Sequence, residues 1–186
     1  MPTLVLRNSE SGASCEIERG RGFVYVVEAA TAGGLEALLD DLLEVPGTQV
    51  AHGVGGMVSN INVLENIALP AIYFGLARSR EFDSRVIEAL GACDVGGAEA
   101  EALCRMHPGE LNPFQKRLAG FVRSLLMQPE VLVYNRFLEG LTRVEMEQAI
   151  ALDAIYRARY PQGTSVYLML SDLPSLQIRC HRSYVT

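Results

Sequence analysis

Apolar residues along this chain fall into two kinds of run. Residues 23–27, 131–134 and 165–170 are short, aromatic and β-branched, with no polar alternation, as in strands buried on both faces. Leu35, Leu38, Leu39, Leu42 and Leu43 instead recur at helical spacing, and Pro46 with Gly47 ends that helix. Phe114, Leu118, Phe121, Val122, Leu125 and Leu126 repeat the pattern ahead of Pro129. Weaker strands are expected at 4–6, 48–51 and 183–185, and helices at 84–90, 99–106 and 144–160. A further helical region opens at 62–69 with Asn62 as its cap. Residues 28–34 read as a turn, with Gly33 and Gly34 suited to positive φ. Strand–helix alternation at both ends, around a mainly helical middle, predicts an α/β fold with a parallel sheet and helices on its faces.

Composition narrows this. The 186 residues fit one domain, and 49% apolar residues with a mean hydropathy of +0.16 supply a sizeable core. The formal net charge of -6 repels a phosphate backbone, so nucleic acid is not expected as a partner. No apolar run is long enough to span a bilayer, so direct membrane insertion is not expected, and residues 1–21 lack the apolar stretch of a signal peptide. Cys15, Cys93, Cys104 and Cys180 are dispersed; Cys104 with His107 and Cys180 beside His181 do not amount to a zinc pattern, so no metal is expected. His52, His107 and His181 share no spacing from which a catalytic triad follows. Only one lysine is present, Lys116.

Motif order then points to a family. Leu111, Asn112, Pro113, Phe114 and Gln115 precede Lys116, Arg117 and Ala119, and Arg123 follows on the same helix. The strand of residues 131–134 ends in Asn135 and Arg136, and Glu139, Gly140, Leu141 and Thr142 come next. In order and spacing this resembles the LSGGQ signature, the Walker B strand and the D-loop of ATP-binding-cassette (ABC) ATPases. Residues 163–172 resemble the strand leading to the family's switch histidine. Residues 62–70 resemble the segment after the Q-loop, most closely that of the lipid-trafficking branch that works with MCE-type proteins. The resemblance implies a P-loop NTPase-like parallel sheet core with a helical subdomain and a reduced β-subdomain. It also implies one domain over 1–186, with 1–56 and 128–186 as core and 57–127 as the helical subdomain.

Against that resemblance, the letters that carry chemistry are changed. The Walker A window runs from Glu28 to Leu35: Gly33 keeps a family glycine, Gly34 stands at the lysine position and Leu35 at the hydroxyl position. A P-loop needs that lysine for the terminal phosphates and that hydroxyl for magnesium. Glu28, Glu36, Asp40 and Asp41 would add negative charge where a triphosphate lies. Asn135 replaces the Walker B acid, Arg136 the catalytic glutamate, Thr142 the D-loop aspartate and Ser171 the switch histidine. Arginine stays protonated and cannot act as a base. Asn112, Pro113 and Phe114 replace the signature's serine and glycines, while its glutamine survives as Gln115. Gln49, the one glutamine near the Q-loop position, stands too early.

The expectation is therefore a pseudo-ATPase with no catalytic residue and no cofactor. It would be an accessory or regulatory subunit of an ABC transport system, cytoplasmic and peripheral at the inner face of the membrane. Its partners would be an ABC permease or ATPase subunit, with a homodimer as another arrangement. By resemblance, residues 62–75 lie near the surface that receives a permease's coupling helix. An atypical nucleotide-binding protein and a protein-interaction scaffold on the same fold remain alternatives.

Overall fold

The computed structural model describes residues 3–7, 14–53, 56–75, 79–170, 180 and 182–185. Strands β1 (Thr3–Arg7) and β2 (Ser14–Glu18) pair antiparallel as a two-stranded sheet. Then follow β3 (Val24–Ala29), α1 (Ala32–Leu43), β4 (Thr48–His52), α2 (Val63–Tyr73), α3 (Ser79–Ala92) and α4 (Gly97–Arg105). A 3-10 turn (Pro108–Glu110) leads to α5 (Pro113–Leu126), β5 (Val131–Asn135), α6 (Arg143–Arg159), β6 (Thr164–Leu170) and β7 (Arg182–Val185).

The five-stranded sheet has the order β4-β5-β6-β3-β7 and is parallel throughout. The apolar runs lack polar alternation because both faces are covered. Val131 and Val133 face one side of β5, with Tyr25, Val27, Leu35, Leu38 and the hairpin's Ile17. Leu132 and Tyr134 face the other, with residues of α2 to α6. The Tyr134 and Tyr167 rings stack at 4.4 Å between centroids, and Asp153 on α6 accepts from Tyr134 Oη at 3.2 Å.

Three helices open with reciprocal side-chain caps: Asn62 with Glu65, Asn112 with Gln115, and Thr142 with Glu145. Each cap fixes where its helix begins by satisfying N–H groups that the helix itself leaves orphaned. Asn66, 1% exposed, ties down the approach to α2. Its Oδ1 accepts from Val58 N at 2.7 Å, and its Nδ2 donates toward Val58 O, Ile61 O and Asn62 O at 3.0–3.1 Å.

Two expectations need correction. Residues 1–21 gave no sign of β2, yet Cys15 and Ile17 are fully buried against α1's side of the core. The turn expected at 28–34 is mostly absent, because β3 runs on to Ala29 and α1 begins at Ala32. Gly33 and Gly34 are ordinary helical residues and are not among those at positive φ. Among the described residues, no helix is long and apolar enough to cross a membrane.

Candidate functional site

In a parallel sheet, ligands settle beyond the carboxyl ends of the strands, where neighbouring connections diverge. Here those ends are Ala29, His52, Asn135 and Leu170, with His52 opposite Asn135 and Ala29 opposite Leu170. A cavity of about 290 Å³ lies beside them, lined by Ala32, Leu35, Glu36, His52, Gly53, Asn135 and Arg136. That volume is at the low end of the roughly 300–1,000 Å³ typical of small-molecule sites.

The α1 side of this cavity is set by Thr31. Its Oγ1 accepts from Gly34 N at 3.0 Å, and its carbonyl accepts from Leu35 N at 3.2 Å, so the helix begins immediately after the strand. Only Ala30 and Thr31 link β3 to α1. Leu35 is 2% exposed and packs into the core with Leu38 and Leu42. Glu28 lies within β3, opposite Met169 and Val185, rather than in a loop. Of the acidic residues expected at the phosphate position, Glu36 lines the cavity; Asp40 and Asp41 sit further along α1 and do not.

The opposite wall is the end of β5. Asn135 Oδ1 is buried and, among the described residues, accepts no hydrogen bond. Arg136 adopts φ 51, its N–H donates to Leu168 O at 2.9 Å, and its guanidinium pairs with Glu139 at 2.7 Å. Among the described residues, no cluster of three or more His, Cys, Asp or Glu gathers as a metal site would require.

His52 and Gly53 are the lining residues the sequence reading did not select. Burial, and then the charge of Arg123, pull the His52 pKa below its usual value, so the imidazole is neutral at pH 7. Gly53 N donates to Asn135 O at 2.9 Å, bringing the two backbones together. Nothing local in the sequence marks either residue, because the contact depends on strand pairing. Gln49 lies inside β4 opposite Leu132 and does not line the cavity.

The remaining expected positions are dispersed. Asn112 caps α5: its Oδ1 accepts from Gln115 N at 2.8 Å, and Gln115 Oε1 accepts from Asn112 N at 2.9 Å. Thr142 caps α6 and is bonded to Glu145. Ser171 lies outside the described residues. Two arginines fasten the connecting loops. Arg117, 4% exposed, donates to Phe137 O at 3.2 Å, Pro113 O at 3.3 Å and Glu139 O at 2.5 Å. Arg123 Nη1 donates to Gly56 O. Burial lowers the pKa of both guanidinium groups, with Glu145 and Glu139 opposing the shift at Arg117.

No family model matches the sequence. The methionine import ATP-binding protein MetN of Francisella tularensis subsp. holarctica (strain OSU18) is 29% identical over 126 residues, 68% of this chain and 34% of that protein. MetN 1 of Rhodococcus jostii (strain RHA1) is 32% identical over 109 residues, 59% of this chain and 30% of that protein. The chain thus spans about a third of the length of the curated relatives it matches. Among solved structures, cbiO1 from Clostridium perfringens, part of the ABC transporter complex cbiONQ, superposes with a TM-score of 0.74. It is 15% identical, and the match covers 100% of this chain and 85% of that one. MJ1267, an ATP-binding cassette of an ABC transporter in its ADP conformation, gives a TM-score of 0.70 at 14% identity over 99% and 85% of the two chains. The protein therefore has the α/β fold of ABC ATPase cassettes, and it is similar in sequence to ABC ATP-binding proteins over two thirds of its length.

Proposed function

We propose that this cassette-fold protein is a pseudo-ATPase: an accessory or regulatory subunit of an ABC transport system that docks on a permease and turns over no nucleotide. The observation that carries this reading is the link of Ala30 and Thr31 between β3 and α1. A phosphate cradle needs several consecutive backbone N–H groups curved around the anion. Here Gly33 and Gly34 are instead wound into the first turn of α1. The rest of the site agrees in chemistry. Gly34 and Leu35 offer no cation and no hydroxyl, Asn135 offers no carboxylate to magnesium, and Arg136 offers no base. These residues do not fit a magnesium nucleotide.

Titration calorimetry with magnesium and ATP, or with ADP, tests this. The expected result is no binding tighter than about 100 μM, or about 5.5 kcal/mol. Tighter binding would overturn the pseudo-ATPase and favour the atypical nucleotide binder.

The end of α2 supports the docking half. Leu69, Ile72, Tyr73 and Phe74 are 46%, 51%, 83% and 64% exposed, a contiguous apolar patch of the kind that marks a protein contact. In the proposed arrangement this patch meets the permease at the inner face of the membrane, which makes the protein cytoplasmic and peripheral. Residues 62–70 favour a lipid-trafficking system with MCE-type proteins, whereas the MetN-like relatives favour a methionine-type importer. A Tyr73→Glu/Phe74→Glu double variant is expected to lose the permease that co-purifies with the unaltered protein. Recovery of neither a permease nor an ATPase with the unaltered protein would leave the scaffold reading in its place.

A further inference from the structure

A second cavity, of about 480 Å³, opens between α4, α5 and α6, and it shares no lining residue with the one at Asn135. From α6 it takes Gln148, Ala151, Leu152 and Ile155, one face of that helix at i, i+3, i+4 and i+7 spacing. Val95, Leu103, Phe114 and Leu118 complete an apolar floor. Leu103, Leu118 and Leu152 are buried, Phe114 and Ile155 are half-buried, and Ala151 is exposed at the margin.

The rim carries a single sign of charge. Among the described residues, Asp94 and Glu99 are the only charged ones in the lining; both are exposed, and neither enters an ion pair there. The side-chain oxygens of Asn112 and Gln115 each accept one hydrogen bond in the α5 cap. The net charge of the chain, -6, adds to the field of the two carboxylates.

We propose that this groove receives a basic amphipathic helix of a partner protein. Its apolar face would lie on the α6 stripe and Phe114, and a lysine or arginine would stand beside Asp94 and Glu99. Helix-in-groove recognition lays the apolar anchors of the incoming helix into a hydrophobic groove, and Ala151, Leu152, Ile155 and Phe114 line this one. Opposite charge at the rim fixes orientation and raises the association rate. The proposal holds whether or not nucleotide binds beside Asn135.

The probe is a fluorescein-labelled Leu/Lys amphipathic peptide of about 15 residues, long enough to form a helix, together with its Leu/Glu counterpart. Binding is read by anisotropy at physiological salt on the full chain. The Leu/Lys peptide is expected to bind at least about tenfold more tightly than the Leu/Glu peptide. Ala151→Trp, a substitution at an exposed position that fills the groove, is expected to weaken it by about tenfold or more. Asp94→Asn/Glu99→Gln is expected to weaken it several-fold and to flatten its salt dependence. Circular dichroism melts of both variants check that the fold is kept. Equal binding by the Ala151→Trp protein, equal binding of the two peptides, or binding of neither overturns the proposal.

Discussion

Gly53→Ala is expected to destabilise the fold by about 3 kcal/mol or more, at the upper end for an overpacked site. A Cβ at this position would stand 1.8 Å from Arg136 O and 2.5 Å from Arg136 C. Those are backbone atoms, so no rotamer change relieves the clash. The wall they belong to is held twice, by the Arg136 N–H bond to Leu168 O and by the Arg136–Glu139 ion pair. A native domain has only about 5–15 kcal/mol in total, so the variant should show a large fall in urea midpoint. Gly91→Ala is the control. Its Cβ meets nothing within 4 Å inside α3, and alanine there should be neutral or stabilising by up to about 1 kcal/mol. A Gly53→Ala loss below about 1 kcal/mol would mean that the turn after β5 yields, and that the cavity wall at Asn135 is not rigid.

Arg117→Ala should cost about 3 kcal/mol, through a different mechanism. The guanidinium is buried and gives its N–H groups to the carbonyls of Phe137, Pro113 and Glu139. Truncation leaves those acceptors in a region shielded from water, and a buried carbonyl without a donor costs more than the bond itself contributed. Arg117→Met keeps the apolar stem and should recover part of the packing but not the carbonyls. Arg117→Lys should fail almost as badly as Met, since one ammonium cannot reproduce the planar fork. Chemical denaturation reads the loss, and amide exchange should localise it to residues 137–139 and the start of α6. Unchanged exchange there would show that Arg117 does not hold this loop.

Gly53 lines the candidate site and Arg117 holds the loop that follows Arg136, and both were opaque in the sequence for the same reason. Arg117 is one of two arginines on α5, and Gly53 directly follows the short strand β4. Their roles depend on partners 20 or more residues away in the chain. By contrast, the buried strands 131–134 and 165–170, the helix of Leu118 and Leu125, and the Asn62 cap were readable, because periodicity and capping are local properties. The hairpin strand β2 escaped because its alternating Cys15 and Ile17 are too few to stand out from the polar residues around them.

The chemistry divides along the same line. Which side chains stand where the sequence resembles the cassette motifs followed from the order of residues: no lysine beside Gly33, Asn135 and Arg136 at the end of β5, and Asn112 to Phe114 at the head of α5. What surrounds them was decided by tertiary structure. Strand pairing set His52 and Gly53 against Asn135, Thr31 drew Gly33 and Gly34 into a helix, and Glu139 captured Arg136. A sequence specifies its residue types and their local periodicity directly. Which carbonyl meets which N–H across a parallel sheet is settled only when the crossover helices have packed and the register of β4 on β5 is set.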